Sequence, residues 1–329
     1  MNAPRRVLVT GADGFLGRSL VAVLAKEAGF AAVVAADVRE VPHARREAGV
    51  TYAVQDVRDP ALRELFATHA IDTVVHLASI VTPGKGSNRE LEHSVDVGGT
   101  RNVLDACVAQ GVGQIVVSSS GAAYGYHADN PAWLRESDAL RGNEAFAYSH
   151  HKRLVEEMLA EYRQAHPALA QTVLRIGTIL GERVDNQITA LFEKKRLLAI
   201  RGSESPFVFI WDDDVIGVIV HALRTRRAGC FNVAGDGALP LREIAARLHK
   251  PLLQLPAGLL KTALAVGSAL GLTRYGPEQL DFLRYRPVLL NTALKEVLGY
   301  VPRKTSVQAF EAFVAARAAQ GRPIAHRPH

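Results

Sequence analysis

Tyr148 and Lys152 stand four residues apart in a segment with helical patterning, a spacing that puts both side chains on one helix face. An ammonium beside a phenol stabilises the tyrosinate and lowers a tyrosine's pKa from about 10 toward the neutral range. Such a pair can exchange a proton with a substrate hydroxyl as a general acid and base. The string itself is common by chance, so its weight depends on what surrounds it. Upstream, Ser118, Ser119 and Ser120 end a predicted strand and run into Gly121. A serine hydroxyl at that strand end can hold a substrate oxygen beside the tyrosine.

A second constellation opens the chain. Gly11, Asp13, Gly14, Phe15, Leu16 and Gly17 follow the first predicted strand and begin the first predicted helix. There Gly11 permits a tight turn, Gly14 lets the backbone approach a pyrophosphate, and Gly17 lets helix and strand pack closely. The helix end offers N–H groups and partial positive charge to the phosphates. Asp37, about twenty residues beyond the last glycine, can accept hydrogen bonds from ribose hydroxyls and repels a 2′-phosphate. NAD is therefore expected as cofactor, with NADP less favoured; Arg39, two residues on, softens that preference. Asp56 and Val57 end the third predicted strand, placed for the adenine edge.

These groups need elements to hold them. Residues 5–10, 32–36, 51–54, 73–77, 114–119 and 172–176 read as strands, nearly uniformly apolar as in a parallel sheet buried on both faces. Helical patterns fill residues 15–28, 60–68, 91–110 and 146–165 between them. The alternation predicts an α/β fold, a Rossmann-type doubly wound parallel sheet within residues 1–180. Beyond residue 181 the rhythm loosens. Short strands near 207–210 and 230–233 mix with helices at 213–226, 241–249, 256–271 and 307–320. This predicts a smaller, irregular C-terminal substrate lobe over residues 181–319, partly interleaved with the first domain, and a disordered tail over 320–329.

Composition narrows the class. Apolar residues at 48% and charged residues at 22% suit a soluble globular enzyme rather than a disordered chain. Cys107 and Cys230 lie in apolar stretches and read as reduced core thiols with no metal-ligand spacing, so no metal is expected. The net charge of +6 comes without an aromatic-interleaved basic motif, which argues against nucleic acid. The chain enters a strand within a few residues, leaving no room for a signal peptide, so a cytoplasmic location is expected. Residues 255–272, the longest apolar run, are broken by Lys261. They read as an amphipathic or buried helix rather than a membrane span, with peripheral membrane contact as the sharper alternative.

Taken in order, the motifs resemble the extended short-chain dehydrogenase/reductases of the NAD-dependent epimerase/dehydratase type. The matching pieces are the glycine turn from Thr10 to Gly17, Asp37, Asp56-Val57, His76-Leu77-Ala78, the helix from Gly99 to Leu104, the serine strand end with Tyr124-Gly125, and Tyr148 with Lys152. Arg175 leading to Gly181, Asp214-Val215 and Phe231-Asn232-Val233 continue the pattern, so it spans residues 5 to about 250. The resemblance implies Ser120 as the catalytic serine, Tyr148 as the acid/base, and Lys152 as the group that tunes it and holds the nicotinamide ribose. It implies that Leu77, Ala78, Ser79 and Ser118 line the cofactor. It also implies a homodimer formed through the helices at 91–110 and 146–165.

The departures concern substrate. Phe207 and Trp211 stand where sugar-nucleotide relatives carry a diphosphate-binding arginine and a histidine, and a second such arginine has no obvious match near residues 284–290. Two lost guanidinium–phosphate contacts forgo roughly 1.5–3 kcal/mol each, unless Arg196, Arg201, Arg284 or Arg286 supplies them from shifted positions. Phe207 and Trp211 are expected instead to line a substrate pocket. Asp96 and Ile176 replace a frequent Asn and Pro, and Ala122 sits where a dehydratase carries an acid. The leading expectation is an NAD(H)-dependent oxidoreductase interconverting an alcohol and a ketone on a small or hydrophobic substrate. The alternatives are a sugar-nucleotide epimerase or dehydratase that holds NAD tightly, and a dinucleotide sensor without chemistry.

Overall fold

A computed structural model describes residues 5–81, 88–269 and 279–325. The elements run β1 (Arg5–Thr10), α1 (Phe15–Leu24), β2 (Phe30–Asp37), β3 (Val50–Val54), α2 (Leu62–Thr68), β4 (Thr73–His76), α3 (Arg89–His93), α4 (Thr100–Ala109), β5 (Gln114–Ser120), α5 (Ala147–Ala165) and β6 (Ala170–Ile176). They continue with β7 (Thr178–Leu180), α6 (Gln187–Glu193), β8 (Leu197–Ile200), β9 (Phe209–Trp211), α7 (Asp212–Thr225), β10 (Gly229–Val233), α8 (Leu241–Arg247), β11 (Leu252–Leu255), α9 (Ala257–Ala269), α10 (Gln279–Arg284) and α11 (Ser306–Ala319).

Seven strands make one sheet in the order β10-β6-β5-β4-β1-β2-β3. The pairs β1·β2, β1·β4, β2·β3 and β4·β5 are parallel. Val7, Leu8 and Val9 are each completely buried, which is why the strand sequences carry no polar alternation. Winding reverses between β1 and β4, so the carboxyl ends of these strands form the crevice where this sheet type takes its ligand. The α/β, doubly wound reading of the sequence holds.

By internal contact the chain divides into two interleaved units. One comprises Met1–Ala123, His151–Arg175 and Val215–Phe231; the other comprises Tyr124–His150, Ile176–Asp214 and Asn232–His329. The first buries an aliphatic core: Leu8, Val34, Val74 and Ile115 of the sheet against Leu104 and Leu159 of its helices. α7 belongs to it because the Gln114 Nε2–H, completely buried, donates to the Ala222 carbonyl at 2.9 Å. The second unit is built on aromatic packing, with Phe192 in edge contact with Phe207 and Phe310 and the Phe207 ring stacked on Phe209 at 5.4 Å.

Several boundaries differ from the sequence reading, each for a local reason. The helix expected over 91–110 is two helices, α3 and α4, joined by a π-type turn at Ser94–Gly99. There the Thr100 hydroxyl donates back to the Asp96 carbonyl at 2.5 Å, and a Cβ on Gly99 would stand 2.6 Å from a Val57 methyl. Back-bonding of that kind bends a helix, and the close approach explains the glycine. The expected tail is ordered over its first residues: Ile324 is buried in the aromatic core and Arg322 reaches Glu193 at 3.2 Å. Residues 326–329 lie outside the described residues, as do the last residues expected for the helix at 256–271. β7, α6, β8, β11 and α10 are too short to impose a period on the sequence. Among the described residues no helix is long and apolar enough to cross a membrane.

Candidate active site

The glycine turn is as tight as its spacing demands. Gly11 has φ +70°, and a Cβ there would lie 2.7 Å from the Ala78 nitrogen. A Cβ on Gly17 would meet the Gly11 carbonyl oxygen at 2.2 Å, so neither position admits a side chain. Gly14 is the extended N-cap residue of α1, and no side chain caps that helix end. A ten-residue helix thus presents the N–H groups of Phe15, Leu16 and Gly17 at the sheet's crevice, fit for phosphate. Leu77, Ala78 and Ser79 follow β4 on the other side of the crevice, and the Leu77 N–H donates to the Thr10 carbonyl at 3.1 Å.

Asp37 ends β2 and is buried. One of its carboxylate oxygens accepts from the Asp13 N–H at 2.9 Å and the other from the Arg39 N–H at 3.0 Å. That pins the carboxylate next to the turn, where a ribose would lie. The Asp13 carboxylate is held by Arg45 at 2.8 Å, and the Arg39 guanidinium lies 3.5 Å from Asp37. Asp56 is gripped by Arg58 at 2.6 Å, whose hydrogen bonds hold its carboxyl below the usual range. Val57 is buried and packs on Gly99.

At the end of β5 the three serines take different jobs. Ser119 is buried while Ser118 and Ser120 are half-buried, the alternation of a strand. The Ser119 hydroxyl donates to Glu156 at 2.5 Å, and Glu156 is clamped by Arg175 at 2.7 Å inside the first unit. The Ser118 carbonyl accepts from the Lys152 ammonium at 3.1 Å, which fixes a buried lysine to the strand end. The Ser120 hydroxyl accepts the Ala122 N–H at 3.1 Å. Lys152 rides on α5, whose second residue is Tyr148, so one helix carries both members of the pair.

Two polar groups beneath Lys152 were not legible as site residues. His76 at the end of β4 bonds Thr10 Oγ1 at 2.7 Å and Thr100 Oγ1 at 3.0 Å. Burial, reinforced by Lys152, pushes it down to about 4, so it is a neutral imidazole. Asp96 accepts the Ile80 N–H at 2.9 Å and lies 3.7 Å from the His151 ring. Burial pushes the Asp96 carboxyl up, but His151 and Lys152 outweigh it and hold it below the usual range.

Within the second unit, Tyr148 belongs to an aromatic group. Its ring is 6.5 Å from Phe146, which lies 5.6 Å from both Tyr126 and Phe282. A small pocket opens among Tyr126, Asn143, Ala145, Phe146, Asp281 and Phe282. The buried Tyr126 phenol, pushed up by burial, feels both the Tyr148 phenol and the Arg286 guanidinium. Arg286 is the residue that sequence reasoning left as one of four candidates. Its guanidinium lies 3.9 Å from the centroid of Phe207 and donates to the Ser205 carbonyl at 3.1 Å. Among the described residues it makes no ion pair. Burial pushes it down to about 10, so it stays a cation at neutral pH.

Phe207 is 1% exposed and Trp211 6%, both packed in the aromatic core of the second unit, with the Arg286 guanidinium over the Phe207 ring. Among the described residues no group of three His, Cys, Asp or Glu side chains could hold a metal ion.

Comparison with known proteins settles the family, since a model described as the NAD dependent epimerase/dehydratase family matches residues 7–234. The chain belongs to that family. It is an NAD-dependent enzyme of the extended short-chain dehydrogenase/reductase type. An uncharacterized protein of Mycobacterium tuberculosis is 26% identical over 318 residues, covering 95% of this chain and 84% of that protein. A UDP-glucose 4-epimerase of Yersinia pestis is 32% identical over 184 residues, 53% of each chain. The Bordetella bronchiseptica enzyme WbmG, solved with NAD and UDP, superposes with a TM-score of 0.74 at 17% identity, over 98% of this chain and 97% of that one.

Proposed function

We propose that this enzyme oxidises a carbinol carbon on a phosphate-bearing substrate and returns the hydride to the same carbon, as a sugar-nucleotide epimerase does. The observation that carries this reading is Arg286: a half-buried cation without an ion-pair partner among the described residues, its Nε shielded from solvent and not hydrogen-bonded, set over the Phe207 ring at 3.9 Å and 5.5 Å from Phe282. A shielded guanidinium nitrogen left without a partner is costly unless an anion completes it. Arg286 lies over the ring of Phe207, the residue that replaces an arginine in this chain, so positive charge returns to that place from another element.

In this reading Tyr148 exchanges the substrate hydroxyl proton, Ser120 holds the same oxygen, and Lys152 stabilises the tyrosinate and binds the ribose. NAD, when bound, supplies the hydride-accepting and hydride-donating chemistry. The Ser118 carbonyl fixes the Lys152 ammonium at the end of β5. Ala122, two residues after Ser120, offers no acid for elimination of water, which disfavours a dehydratase. A homodimer through α4 and α5 accompanies the proposal.

A net alcohol–ketone oxidoreductase acting on a hydrophobic substrate is the second reading. The aromatic walls of the pocket at Tyr126, Phe146 and Phe282 favour it. A thermal-stability screen with NAD present separates the two, since a binder raises the midpoint by mass action. Stabilisation by nucleoside diphosphates supports the first; stabilisation only by apolar alcohols and ketones overturns it.

A further inference from the structure

The second unit carries an apolar surface that the chemistry does not use. β8 and β11 pair in parallel with Leu198 beside Leu253, so both side chains point to the same face. Leu198 is 38% and Leu253 45% exposed. β11 leads through Pro256 into α9, about 20 Å long, in which no described side chain is buried. Leu259 and Val266, seven residues apart on one helix face, are 59% and 53% exposed, while Leu260 and Leu264 are half-buried on the inner side.

Charge around this surface is mainly positive, with Asp281 exposed on α10 beside it. Residues 251–277 contain no Asp or Glu. Exposed Lys194, Lys195 and Arg196 lead into β8, and Arg201 leaves it with its N–H bonded to the Leu255 carbonyl at 2.9 Å. Lys261 is exposed on α9, on the far side of the helix from Leu259 and Val266. Among the described residues none of these five cations is in an ion pair, whereas the neighbouring acids Glu193 and Glu204 are engaged by Arg322 and Arg242.

We propose that this face docks onto an anionic lipid surface, with Leu198, Leu253, Leu259 and Val266 entering the headgroup boundary and the cations meeting lipid phosphates. An apolar stripe with exposed Lys and Arg in excess over acids is what such an interface attracts. A second copy of this chain is a poorer occupant, because it would set the same cationic rim against itself.

The full-length chain with NAD is sedimented with vesicles of phosphatidylcholine alone and of phosphatidylcholine with phosphatidylserine. Binding is expected only to the mixed vesicles, weakening in high salt. Leu259→Ser with Val266→Ser is expected to weaken it about tenfold, and Lys194→Glu, Lys195→Glu and Arg196→Glu by roughly fivefold per charge. Both variants are checked for wild-type circular dichroism and stabilisation by NAD. Absence of sedimentation with either vesicle, or equal binding by the variants, overturns the proposal. So does a wild-type dimer that the Leu259→Ser, Val266→Ser variant converts to monomer.

Discussion

The guanidinium of Arg286 lies 3.9 Å from the centroid of the Phe207 ring, half-buried, with Ser205 as its hydrogen-bond acceptor. Seventy-nine positions separate the two residues, so the fold alone brings them together. A planar cation stacked on a ring keeps its edge donors available for a phosphate.

Arg286→Met separates ligand binding from folding. Removing a charge–phosphate contact is expected to weaken nucleoside diphosphate binding roughly 10- to 100-fold. Removing a half-buried cation that has no ion-pair partner among the described residues is expected to leave the ligand-free melting temperature at or above wild type. Calorimetric titration with UDP and thermal melts measure both. Unchanged UDP affinity would sink the phosphate-bearing substrate.

Tyr148→Phe removes only the hydroxyl that exchanges the proton. Turnover is expected to fall by about 10²–10⁴ while NAD still raises the melting temperature. Full activity in this variant would assign the proton transfer to another group.

Glu156→Gln leaves Arg175 charged inside the first unit. Breaking one side of a buried pair costs about 3–5 kcal/mol, which urea unfolding reads directly. Glu156→Met with Arg175→Met together is expected to cost less than Glu156→Gln alone, since no charge is then stranded. The reverse order would show that the pair is not the brace between β5, α5 and β6.

His76 gives stability a pH dependence. Its folded value near 4 lies below the 6.5 of an unfolded histidine, so the unfolded chain binds the extra proton between those values. Its contribution is complete above pH 6.5 and is lost as pH falls toward 4, on the order of 3 kcal/mol in all. His76→Asn should flatten the fall in unfolding free energy across that window. An unchanged slope would mean that His76 is not the group being protonated.

The parts legible in the sequence are those specified by local spacing. Gly11, Gly14 and Gly17 must be small because of neighbours within the same turn or one strand away, and the uniformly apolar strands report burial on both faces. Lys152 and Tyr148 share a helix, so their relation needed no tertiary contact. What stayed hidden depends on distant contacts. The small residue at the turn between α3 and α4 is required by Val57 from a distant strand end, and His76 is a neutral imidazole because the fold buries it beside Lys152. The surroundings of Phe207 and Trp211 were hidden too, because an aromatic side chain looks the same in sequence whether it faces a ligand or a core. Here the packing comes from Phe192 and Phe310, on two other segments.

The serine run at the end of β5 bears on how such a chain can change. In the sequence Ser118, Ser119 and Ser120 are interchangeable letters, and deleting one would be hard to place in any alignment. In the fold they alternate, one turned to Glu156 and its neighbours turned the other way. Because the three letters are identical, a single-residue deletion there would leave a serine facing Glu156 and draw Gly121 into the place of Ser120. A point substitution touches one role at a time, whereas a one-letter length change keeps the anchor, removes the outer hydroxyl and shifts every residue beyond it.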